Sequence, residues 1–259
     1  MHPSILAQKS AARARLLAAG APTAADGSGS SHGSTNAAVR AATAEAVDRH
    51  LCDHYTRRPG IAPLCQAVAA YLTARGLPTH ENDVVISGSV QEARYVALRS
   101  LAVGKIVYIL AEDAAPYAPA LQFAGASAVI LESPDELPDA ADGLLLVAAG
   151  APGYEELARR VAKSKLAVVA DETAAPLGGD TPFAALPEMA ARTLTLGSFA
   201  GAPGLDAWQV SWFAGPKSLL TPVRDLKQSI TICTSAPSQY AALAALAEYA
   251  GATKDQVEL

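Results

Sequence analysis

Aromatic side chains supply only 5% of the 259 residues, with four phenylalanines and two tryptophans. Large rings therefore fill little of any core, and the 51% hydrophobic content rests mainly on smaller residues, chiefly alanine. Alanine is the strongest helix former, so helices are favoured by propensity. Charge is sparse as well: 17% of residues, which argues against a disordered chain. The 20 basic residues do not outnumber the 25 acidic ones, and the net charge is −5. That balance argues against nucleic acid or an anionic membrane surface as the partner.

Cysteine is scarce and odd in number: Cys52, Cys65 and Cys233, with no C-x-x-C spacing. They read as reduced, structural thiols. No uncharged apolar run reaches the roughly 18 residues of a membrane helix. The start, MHPSILAQKSAARAR, lacks a basic segment followed by an apolar stretch, so no secretory signal is read. The expectation is a soluble, cytoplasmic protein. Of the histidines, only His50 and His54 share a helix face, and no third ligand follows, so no metal site is expected. No histidine follows His80, and Ser198 lies in GSFAG rather than GxSxG. A serine hydrolase triad is therefore not supported.

What is present is a patterned chain long enough for one large domain with a sizeable core. Residues 4–20 have helical spacing and end at Gly20. Residues 25–35, ADGSGSSHGST, read as a flexible linker or as a loop wrapped close to something. Helices are predicted over 36–51 and 62–75. From residue 83 short β-branched runs alternate with helical stretches. Strands are predicted at 84–87, 105–110, 127–131, 143–149, 165–172, 192–198 and 207–215. Helices are predicted from about 90 and 116, then at 154–164, 217–228 and 238–250. This alternation predicts a three-layer α/β/α domain over 36–259 with a mainly parallel sheet, preceded by the helix and Gly/Ser-rich loop of 1–35. Ligands in such folds lie at the carboxyl ends of the strands.

Two segments carry chemistry. SGSVQEA (87–93) joins a strand to a helix start, where free N–H groups suit a phosphate, although ordinary turns use the same residues. Asp171 ends the buried-looking run KLAVVADE. A carboxylate there must be paired or ligand-bound, unless it is simply a cap or turn residue. The charges of 154–165 read as a solvated helix face.

The order of segments resembles the fold type I pyridoxal-phosphate-dependent aminotransferases of class I/II, across nearly the whole chain. YTRRPGIAPLCQAVAAYL, VISGSVQEA, APYAPAL, VVADETAAPL, LGSFAGAPGLDAWQVSWFAGPKSLL and APSQYAALAAL each follow one of the family's segments in the correct order. The resemblance implies an aminotransferase large-domain fold and pyridoxal phosphate as cofactor. It places Asp171 against the pyridine nitrogen, where a carboxylate stabilises the protonated ring. Ser89 and Val90, with Ser198, would meet the phosphate, and Tyr117 would stack on the ring. Tyr55 would reach the phosphate of a neighbouring subunit, which implies a homodimer or a hetero-oligomer with a related aminotransferase.

The departures from the family pattern are specific. Gly201 stands at the position of the Schiff-base lysine, and Gln209 at that of the phosphate-binding arginine. Ala174 replaces the tyrosine three residues after Asp171, and the only asparagines, Asn36 and Asn82, lie far upstream of the ring-oxygen position. The small C-terminal domain of the family is expected to be missing after Leu259. Glycine can be neither nucleophile nor general base. Losing the arginine removes a contact typically worth ~1.5–3 kcal/mol. The sequence therefore predicts a degenerate aminotransferase that acts by binding or scaffolding. Two alternatives are an active transaminase using another lysine or none, and a binding module for a small phosphate or carboxylate compound.

Overall fold

A computed structural model of the chain describes residues 36–250, apart from positions 152, 180, 200, 201, 203, 204, 206 and 207. The expected helix at 4–20, the loop at 25–35 and Gly201 lie outside the described residues.

Helix α1 (Ala37–Asp48) starts where the Asn36 side chain accepts a bond from the Ala38 N–H, an N-cap that satisfies an otherwise orphaned donor. Helix α2 (Ala62–Ala74) opens with a proline in its first turn, where the missing N–H costs nothing. Then follow β1 (Val84–Ser87), α3 (Val90–Leu101), β2 (Ile106–Leu110), the short α4 (Ala111–Ala114), α5 (Ala118–Ala124) and β3 (Ser127–Leu131). The second half carries β4 (Leu144–Ala148), α6 (Tyr154–Ala162), β5 (Ala167–Asp171), β6 (Thr193–Ser198), β7 (Ser211–Ala214), α7 (Lys217–Thr231) and α8 (Ala236–Tyr249).

Among the described residues the strands form one sheet in the order β1-β7-β6-β5-β4-β2-β3. Its β3-β2-β4-β5-β6 portion is parallel, and β7 runs antiparallel to both β6 and β1. Side chains alternate across it with the period of two that a pleated strand imposes. On one face Val85, Ile109, Leu146, Val169, Leu196 and Phe213 pack with residues of α3, α5 and α7. On the other, Val84, Ile86 and Trp212 meet α2 and α8, while Leu145, Val147, Val168 and Ala170 meet α6. The predicted three-layer α/β/α architecture with a mainly parallel sheet is the observed one.

One strand is shorter than its pattern. The run 207–215 yields only Ser211–Ala214, because Gln209 turns into the left-handed region at φ +56°, which a strand cannot contain. The charged face of α6 is also less solvated than its sequence suggests. Arg160 folds back onto Glu156, Asp135 and the Leu137 carbonyl, tying the helix to the loop before β4. Cys52, Cys65 and Cys233 are unpaired thiols.

Candidate active site

The carboxyl ends of the strands meet at one edge of the sheet. Ser87 of β1 and Ser198 of β6 both register with Ser211 of β7, while Asp171 closes β5 beside Leu196. A pocket of about 320 Å³ opens there, lined by Ser89, Gln91, Arg94, Ser198, Trp208 and Gln209 among others. Val90 and Ala174 also line it. The three residues expected at a phosphate, Ser89, Val90 and Ser198, therefore share one pocket with Gln209 and Ala174.

Ser89 owes its place to helix capping. It sits at the N-cap of α3 in an extended conformation, and its Oγ accepts from the Glu92 N–H at 3.0 Å. Its carbonyl accepts from the Ser211 hydroxyl at 2.8 Å, which fixes the turn to β7. The Ser198 hydroxyl donates to the Thr173 carbonyl at 2.7 Å, joining the ends of β5 and β6.

The two carboxylates at the end of β5, Asp171 and the following Glu172, are each paired with an arginine distant in sequence. Glu172 is buried, accepts from the Phe183 N–H at 2.9 Å and lies 3.7 Å from Arg75, just beyond α2. Burial pushes its carboxyl above the ordinary range, while the Phe183 N–H and then Arg75 oppose the shift. Asp171 is 2% exposed, and it is both a turn residue, its side chain forming an Asx turn with the Thr173 N–H, and a paired carboxylate. Arg94 Nε donates to its Oδ2 at 2.6 Å, and the Tyr117 hydroxyl donates to the same oxygen at 2.7 Å. Its Oδ1 accepts from the Thr173 N–H at 2.9 Å and from the Thr173 hydroxyl at 2.5 Å. Burial and then the Asp171 charge push the Tyr117 phenol far above its ordinary pKa, so it stays protonated and donates.

Arg94 is the residue that sequence reasoning missed. In EARYVALRSL it reads as one more charge on a helix, and its partner lies 77 residues away. The signal was indirect: a carboxylate ending a buried strand requires a cation or a ligand. Arg94 supplies that cation, and its guanidinium carbon lies 5.0 Å from the centroid of the Tyr117 ring.

A carboxylate has about four acceptor positions. At Asp171 all four face donors of the chain itself, so a pyridine N–H meets no vacant acceptor while Arg94 and Tyr117 hold these positions. The residues present do not fit a cofactor ring seated on Asp171. Among the described residues that line the pocket there is no lysine. Lys217 is exposed at the start of α7, and Lys227 is buried within that helix, outside the lining. Tyr55 is 81% exposed and does not line the pocket. Asn36 caps α1 and reaches Glu248. No cluster of potential metal ligands occurs among the described residues, and no described helix is long and apolar enough to cross a membrane.

Comparison with known proteins agrees with this architecture. Residues 147–258 match the family model "Aminotransferase class I and II". An aspartate aminotransferase of Pinus pinaster is 41% identical over 103 residues, covering 38% of this chain and 21% of the relative. A probable N-succinyldiaminopimelate aminotransferase DapC of Mycobacterium tuberculosis is 28% identical over 223 residues, covering 75% and 56%. The chain thus spans between about a fifth and just over half of the length of these curated relatives. Among solved structures, N-succinyldiaminopimelate aminotransferase from Mycobacterium tuberculosis superposes with a TM-score of 0.75 at 24% identity, covering 87% of this chain and 66% of that one. An aspartate aminotransferase of Thermus thermophilus with maleate gives 0.75 at 20%, covering 84% and 63%. The chain carries the fold of these aminotransferases, and its residues 147–258 match the class I and II family model.

Proposed function

We propose that this protein is an aminotransferase-fold protein that has lost transamination and acts by binding or scaffolding, as a dimer with itself or with a related aminotransferase. The observation that carries the reading is the engagement of Asp171 by Arg94, Tyr117 and Thr173. A carboxylate kept for a protonated ring would leave a position free for it. The sequence adds Gly201, Ala174 and Gln209 at the positions where the resemblance implies a lysine, a tyrosine and an arginine. Transamination needs a group that takes and returns a proton at the reacting carbon, and no lysine lies among the described residues of the pocket.

The test is incubation of the purified protein with pyridoxal phosphate, borohydride reduction and intact-mass measurement, alongside amino transfer from a panel of amino acids. The reading expects no adduct at a pocket lysine and no turnover. Turnover that disappears in Asp171→Ala would revive the active enzyme.

A second reading, a module for a small phosphate or carboxylate compound, is favoured by the pocket itself. Its wall places Ser89, Gln91 and Ser198 around a space large enough for a small metabolite. A thermal-shift screen of organic phosphates and carboxylates with no stabilising compound would remove it.

A further inference from the structure

We propose that Arg94 stands in for the cofactor ring, its guanidinium holding the aromatic face and the strand-end carboxylate that the resemblance implies for a protonated pyridine, so that the pocket excludes a pyridine ring from Asp171. The inference deepens the proposed loss of transamination and rests on that reading.

The geometry has three parts. First, the guanidinium is a planar, delocalised cation that can lie over an aromatic face and donate to a carboxylate at the same time. Its Nε donates to Asp171 Oδ2 at 2.6 Å while its central carbon lies 5.0 Å from the Tyr117 ring centroid. One cation thus satisfies both the carboxylate and the aromatic face. Second, the guanidinium is locked. Its Nη2 donates to the Thr173 hydroxyl at 3.2 Å, and that hydroxyl in turn donates to Asp171 Oδ1. Arg94, Thr173 and Asp171 close a ring of hydrogen bonds in which each partner orients the next. Third, Arg94 is the cationic member of this cluster that reaches the open side. Its side chain is 22% exposed and forms part of the pocket wall, whereas the Asp171 side chain is 1% exposed.

A ring entering the pocket must therefore displace Arg94 from a buried carboxylate. That gives up a charge-assisted bond and a cation–π contact. Truncating Arg94 removes the obstacle and leaves Asp171 with its Thr173 and Tyr117 donors and one vacant acceptor position. The phosphate end of the pocket, at Ser89, Val90 and Ser198, is untouched by that change.

The experiment uses pyridoxine 5′-phosphate, which has the ring and the phosphate but no aldehyde, so lysine chemistry plays no part. Inorganic phosphate is the second arm. Calorimetric titration of the full chain is expected to show wild type binding pyridoxine phosphate no more tightly than inorganic phosphate. Arg94→Ala is expected to bind pyridoxine phosphate at least about tenfold more tightly than wild type, the scale of one charge-assisted bond. Its affinity for inorganic phosphate should not change, and the gain should vanish in Arg94→Ala/Asp171→Ala. Wild type binding pyridoxine phosphate as tightly as Arg94→Ala overturns the proposal. Should Arg94→Ala fail to fold, Arg94→Gln removes the same charge. If that variant fails too, the wild-type NMR spectrum decides. An Arg94 Nε–H signal unchanged at saturating pyridoxine phosphate supports the lock, and its displacement sinks it. Ring binding without turnover would end this inference and leave the lost-catalysis reading standing; turnover would end that reading.

Discussion

Lys227 shows at one side chain how the alanine-rich chain closes around a charge. It is 1% exposed, and its Nζ has no hydrogen-bond partner among the described residues. Burial lowers its pKa from the ordinary 10.5, opposed first by the charge of Glu92. Glu92 does not depend on the lysine, since Ser87, the Gly88 N–H and Thr231 all donate to it. Replacing the amine by a thioether of similar shape should therefore stabilise the fold. Lys227→Met is expected to gain about 1–3 kcal/mol in a urea melt near neutral pH, the usual penalty of an unsatisfied buried polar group. A loss would mean that the amine has a partner. The pH dependence has a definite sign. Between the lowered folded pKa and 10.5 the unfolded chain binds more protons at this site, so its contribution to stability rises with pH. Cys65, pushed up to about 12 mainly by burial, acts in the opposite direction above its ordinary 9.0. Comparing wild type with Lys227→Met removes that common background. The difference between them should shrink as pH rises toward 10.5. At this same scale the sequence could state that Asp171 needs a partner, but not that the partner is Arg94. Nothing local links two residues on separate elements.

Elements meet where the antiparallel strand β7 is inserted between β6 and β1. Gly197 of β6 pairs with Trp212 of β7, and a Cβ on Gly197 would lie 1.9 Å from Trp212 Cζ2. The indole covers the glycine and joins the core beneath α2 and α8. Gly197→Ala must push the ring aside, and overpacking of this kind costs about 1–3 kcal/mol. A lowered midpoint in chemical denaturation is the expected result, and an unchanged one would place the indole elsewhere. The β-branched runs made most strands legible, since a parallel strand buried on both faces is a short apolar run. The antiparallel pairing of β7 was not legible, nor was the Gln209 turn that shortens it. Both depend on the neighbours that a strand acquires.

For the whole molecule, the proposed assembly is a dimer. Sedimentation velocity at micromolar concentration should show it, alone or after mixing with a related aminotransferase. A monomer in both cases would remove the partner and leave Tyr55, 81% exposed, without the cross-subunit role that the resemblance implies. The loop carrying Tyr55 is anchored from within. Gln239 of α8 is fully buried, accepts from the Ile61 N–H at 2.8 Å and donates to Thr56 at 3.3 Å. The aromatic side chain is thus presented on a held loop.

The sequence by itself determined the alternation of strands and helices, both bounds of α2, the start of α3, and the three-layer class, because hydrophobic period and capping chemistry act over a few residues. It also placed Gly201, Gln209 and Ala174 against a family pattern. Only the tertiary structure decided what Asp171 does. The strand ends converge there, and burial makes every acceptor of a carboxylate find a donor. Which donors reach it is a matter of three-dimensional distance, and Arg94 and Tyr117 arrive from 77 and 54 residues away.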